Sequence, residues 1–172
     1  MTGRVALACA LALAAAPAFA AQEFYIGEPV VKEGMQIVPN YLTGITMDRH
    51  PPGMSMSKNA VHLEADVHAT KDDNHGFTED QWIPYLTIRY TLTKAGTKVT
   101  RKGELYPMIA KDGTHYANNV EMSGPGTYTL TYTLLPPSSH GFIRHTDAAS
   151  GVADWWKPVT ARWTFTYPSK TK

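Results

Sequence analysis

The segment Val61-His62-Leu63-Glu64-Ala65-Asp66-Val67-His68-Ala69 alternates apolar and polar residues without a break. Successive side chains of a strand point to opposite faces, so the five apolar residues share one face and His62, Glu64, Asp66 and His68 the other. Every residue on that second face is a metal-ligand type. Imidazole suits Fe, Cu, Zn and Ni, and carboxylate suits harder ions. Residues two apart on a strand are separated by about 6.6 Å, so His62 and Glu64 can chelate one ion. His62 and His68 are about 20 Å apart by the same rise, so all four cannot share one centre. Asp66 and His68 then orient ligands, form a second site or face solvent. A solvated sandwich face shows the same alternation, and the segment alone leaves both meanings open.

A second group is Met108-Ile109-Ala110-Lys111-Asp112-Gly113-Thr114-His115. Asp-Gly is a turn dipeptide that can fold Met108 and His115 back to one side. A thioether with an imidazole suits copper and tolerates ferrous iron. The alternative is core packing for Met108 and a surface loop for His115. Met54 and Met56 follow Pro51-Pro52-Gly53, with Met47 and His50 upstream. They form either a methionine lip over a copper site or a plug beneath the loop. Later, His145 has Asp147 nearby, an imidazole with a carboxylate to support it as a ligand. Trp155-Trp156 suggests packing over a site or a subunit interface.

Strands must position these groups. Period-two stripes recur at residues 82–92, 127–134 and 162–167, rich in aromatic and β-branched residues. Pro and Gly punctuate the gaps, and no stretch shows the 3.6 period of an amphipathic helix. About seven strands are expected, near 24–31, 35–47, 60–70, 82–93, 98–107, 127–135 and 159–167. That pattern predicts an all-β, immunoglobulin-like β-sandwich of about seven or more strands.

Residues 1–20 read as a secretory signal: Arg4, a 12-residue apolar stretch from Val5 to Ala16, and Ala18-Phe19-Ala20 before the cleavage point. The apolar stretch is too short to span a bilayer. Cleavage leaves one domain, residues 21–172, without Cys9 and with 15 Lys+Arg against 15 Asp+Glu. All seven His and six of the seven Met remain. The balanced charge argues against nucleic-acid binding, and no further segment of membrane length follows. An exported chain with no disulfide fits the bacterial periplasm.

Taken together, His62-Leu63-Glu64-Ala65-Asp66-Val67-His68-Ala69-Thr70, Trp82-Ile83-Pro84-Tyr85-Leu86-Thr87, Met108 with Asp112-Gly113 and His115-Tyr116, Pro136-Pro137, Arg144-His145-Thr146-Asp147 and Trp155-Trp156-Lys157-Pro158 resemble one family. It comprises periplasmic iron-transport proteins that bind divalent iron and copper beside an inner-membrane iron permease. The resemblance implies an immunoglobulin-like homodimer with metal sites close to the subunit interface. It implies His62, Glu64, Met108 and His115 as ligands, Asp112 as a nearby acidic group, and His145 as a ligand that the partner subunit can contribute.

The expected function is therefore periplasmic binding of Cu(2+) and Fe(2+), with Fe(3+) also admissible, in support of iron uptake. Copper handling, Fe(II) oxidation and a non-metal adhesion sandwich are the alternatives. No nucleophile elbow, phosphate-cradling Gly loop or catalytic acid/base pair is present, and an enzyme is not expected.

Overall fold

The computed structural model describes residues 22–169, so the expected signal segment lies outside the described residues. Nine strands follow in order: β1 (Gln22–Tyr25), β2 (Val30–Lys32), β3 (Met35–Thr43), β4 (Ala60–Ala69), β5 (Thr87–Lys94), β6 (Thr100–Ala110), β7 (Gly113–Glu121), β8 (Gly126–Leu135) and β9 (Val159–Tyr167). The helical structure among the described residues is one 3-10 turn, Pro137–His140. All pairings are antiparallel, in the order β1-β3-β4-β7-β6-β5-β8-β9, with β2 also on β3.

The ladder turns a corner at β6. Residues 106–110 pair with β7, while 100–105 pair with β5. The sheet thereby curls into two facing layers with the core between them, the sandwich anticipated from the stripes. Gly103 sits at this corner, where a Cβ would lie 2.7 Å from the Tyr90 ring. One layer contributes Met35, Ile37, Tyr41, Leu63 and Val67, and the other Ile88, Leu130, Tyr132, Leu134 and Trp163, all buried. Trimming one such Leu to Ala costs about 2–5 kcal/mol. Tyr132 crosses the core and donates its hydroxyl to the Glu64 carbonyl at 2.9 Å, fixing β4 from behind.

Several expected boundaries move. The segment 24–31 is two strands, and 35–47 ends as a strand at Thr43. The stripe at 82–92 begins as a strand only at Thr87. Tyr85, at φ 62, breaks the alternation, and Ile83 and Leu86 both become buried despite opposite parity. Strand β7 was not expected, because its Asn118-Asn119 pair belongs to a residue type depleted in strands.

Candidate metal centre

β4 lies between β3 and β7, so each of its central residues has a neighbour on both sides. His62 pairs with Leu42 and Asn119, and Glu64 with Asn40 and Ala117. Parity then puts His115, Ala117 and Asn119 on the same outward face as His62 and Glu64. The Asp112-Gly113 turn closes the β6–β7 hairpin so that Met108 pairs directly with His115.

One ligand atom from each of His62, Glu64 and His115 lies within 4.8 Å of the others. His115 Nδ1 is 3.1 Å from Glu64 Oε1, and the two imidazoles meet edge-on with centroids 5.8 Å apart. Two donors about 2.1 Å from one ion at right angles are about 3 Å apart, so the His115–Glu64 spacing fits shared coordination. His62 Nδ1 lies 2.9 Å from Asn119 Oδ1. An amide oxygen only accepts, so Nδ1 carries the proton and Nε2 keeps its lone pair for a metal.

This outward face is not solvated. His62, Glu64 and His115 are 5%, 7% and 7% exposed. The chain after β3 folds over them, held by Tyr106 Oη donating to the Pro52 carbonyl at 3.0 Å and Ser55 N–H to the Asn119 carbonyl at 3.0 Å. Two openings remain. One, of about 560 Å³, is an acidic cleft with Glu23, Asn40, Asp66 and Asp112 around Glu64 and His115. The other, of about 740 Å³, is lined by Leu42, Ile45, Met47 and Met108 beside His62, Glu64 and His115. The centre thus has hard oxygen donors on one flank and thioethers on the other, with imidazole between.

The acidic cleft has no Lys or Arg in its lining. Glu64 is pushed up to about 8, by burial first and then by the charges of Asp66, Asp112 and Glu23. Burial also pushes Asp66 up, and Asn40 Nδ2 tempers the crowding by donating to Glu23 Oε1 at 3.2 Å and Asp66 Oδ2 at 3.0 Å. Burial pushes His62 down, against its bond to Asn119. His115 is pushed down by burial and by His62, against Asp112 and a bond with the Gly113 backbone. Burial thus favours the uncharged form of both groups across the 3.1 Å contact. A metal ion would displace the shared proton and offset the carboxylate repulsion.

Of the residues singled out from sequence, His62, Glu64 and His115 come together, with Met108 beside His115. Asp112 is exposed at the hairpin turn and acts on Glu64 and His115 through its charge. His145 is outside the group, on the loop between β8 and β9. Met47 lines the apolar opening, whereas Met54 is buried under the loop and Met56 is exposed. Asn119, Asn40 and Glu23 were not foreseen. Identifying β7 would have exposed Asn119, which shares the parity of His115.

A model of the Fe2+ transport protein family matches residues 20–169. This chain belongs to that family. Among curated relatives, a UPF0423 protein of Brucella abortus is 43% identical, covering 97% of this chain and 93% of the relative. The 34 kDa membrane antigen of Treponema pallidum is 33% identical over 82% of this chain and 72% of its own. Among solved structures, FetP of uropathogenic Escherichia coli strain F11 is 44% identical with a TM-score of 0.79, covering 85% of this chain and 96% of FetP. Copper-reconstituted P19 of Campylobacter jejuni is 39% identical with a TM-score of 0.79, covering 87% of this chain and 99% of P19.

Proposed function

We propose that this chain binds iron and copper in the periplasm and supports iron uptake through an inner-membrane iron permease. The metal is cargo rather than a resident cofactor, and the chain acts by binding it, not by catalysis. His62, Glu64, His115 and Met108 hold the ion, and Asp112 attracts it at the mouth. The observation that carries this reading is the gathering of two imidazoles and a carboxyl on a buried outward face, with Met108 in register beside them. Copper-bound FetP and P19 structures support the same cargo. Divalent copper should bind more tightly than ferrous iron by the usual affinity order, so affinity does not rank the two cargoes physiologically.

Residues 1–20 serve as the export signal and 21–172 as the binding domain. The chain works as a homodimer in which His145 reaches the partner's centre. Exposed Tyr85 and Phe142, stacked at 5.0 Å, and exposed Ile143 give the surface around His145 an apolar character suited to an interface. Calorimetry with Cu(II) and with Fe(II) tests the reading. His62→Ala, Met108→Ala and His115→Ala should each weaken binding, and parent-like binding by all three would refute it.

A further inference from the structure

His145 is an exposed side chain that is nevertheless held. Its imidazole is 75% exposed, yet Nδ1 lies 2.7 Å from Ser150 Oγ. Ser150 Oγ in turn lies 2.8 Å from Asp147 Oδ2. The other Asp147 oxygen accepts the backbone N–H groups of Ala149 and Ser150, both at 3.0 Å. Both oxygens of the Asp147 carboxyl thus serve as acceptors. The proton directions follow. Ser150 donates to Asp147, and its oxygen accepts from His145 Nδ1–H. Nε2 keeps its lone pair.

The backbone is fixed too. Val152 N–H donates to the His145 carbonyl at 3.2 Å, and the Arg144 guanidinium donates to the Val152 carbonyl at 3.1 Å. Gly151 N–H closes the turn on the Asp147 carbonyl at 2.8 Å, where a Cβ on Gly151 would lie 2.5 Å from that oxygen. Ordering an exposed side chain costs conformational entropy, and a merely solvated imidazole gains nothing in return. A ligand to an ion outside its own loop does gain. Metal-bound histidines commonly donate their second ring N–H to a carboxylate, which fixes tautomer and orientation. His62 is tied through Nδ1 to Asn119 in the same sense.

We propose that Asp147 and Ser150 are positioning residues that hold His145 as the Nδ1–H tautomer, presenting Nε2 to the metal centre of a second copy of this chain. The inference rests on the reading that His145 completes a centre across a subunit interface.

Two measurements separate the device from that reading. Long-range proton–nitrogen NMR of the metal-free protein, at mildly alkaline pH, reads the tautomer directly, with His145→Ala assigning the signal. The parent should show Nδ1–H, Ser150→Ala the mixed pattern of a free imidazole, and Ser150→Thr the parent pattern. A free-imidazole pattern in the parent overturns the relay. Cu(II) titration with EPR then reads the ligand. Ser150→Ala should weaken binding by about tenfold or more and move the spectrum toward that of His145→Ala, with Ser150→Thr restoring both. Parent-like binding by Ser150→Ala beside weakened His145→Ala overturns the positioning role. Parent-like binding by His145→Ala overturns the cross-subunit reading itself, whatever the NMR shows. Mixing His145→Ala chains with a His62→Ala/His115→Ala double variant should restore a parent-like spectrum. No restoration overturns presentation to a second copy.

Discussion

β4 and β8 are both ten-residue strands that alternate strictly and bury their apolar set between the layers. Their outward faces differ in kind. On β8, Thr127, Thr129, Thr131 and Thr133 stay half-buried or exposed, and Thr129 reaches only another threonine, Thr164, at 3.4 Å. On β4, His62 and Glu64 are covered almost as completely as the core. Burying titratable groups without an opposite charge is unfavourable, and the displaced values of Glu64, His62 and His115 register that cost. β8 shows that the fold is satisfied by threonine on such a face. Stability does not account for the groups on β4, which is what the proposed metal-binding role would explain.

Removing a ligand should break the contrast most strongly. His62→Ala or His115→Ala is expected to weaken Cu(II) binding by at least about a hundredfold in a competition titration, since even the supporting partners of metal ligands are worth about 10–100-fold. Met108→Ala should cost less for Cu(II) than for Cu(I), whose softer character depends on the thioether.

Acidity comes next. With Glu64 near 8, metal uptake at neutral pH should release about one proton, and affinity should rise up to about tenfold per pH unit until about pH 8. The imidazoles, pushed down from their ordinary value, add a steeper loss only at lower pH. Calorimetry in two buffers of different ionisation enthalpy counts the protons.

The metal-free fold should carry the opposite pH signature. Glu64 has a higher value folded than unfolded, so its protonated form is favoured in the fold. Its stabilising contribution is complete below about 4.5 and is lost as pH rises toward about 8. Asp66, also pushed up, acts in the same sense. Urea unfolding of the metal-free parent should lose on the order of a few kcal/mol between those limits. Glu64→Gln should flatten most of that slope. The smallest effect belongs to β8: Thr131→Val should change stability by under about 1 kcal/mol and leave metal binding at the parent value.

The sandwich and the shared face of His62 and Glu64 were legible because period two fixes the face of every residue on a strand. The Asp112-Gly113 turn likewise foretold that Met108 and His115 would meet. The burial of the β4 polar face was not legible, because the chain that covers it comes from residues after β3 with no periodicity of their own. Asn119 was hidden for a different reason. Its strand is polar enough to resemble a loop, and only pairing with β4 reveals which way it faces. Glu23 and Asn40 join the centre through sheet order, which local pattern does not encode.

The most direct test of the β4 centre is anomalous diffraction from crystals loaded with Cu(II) and, separately, with Fe(II). An ion is expected within about 2.0–2.2 Å of His62 and His115 nitrogens, with Glu64 or Met108 completing the near set. An ion held elsewhere, with no nitrogen of His62 or His115 within bonding distance, would contradict that assignment.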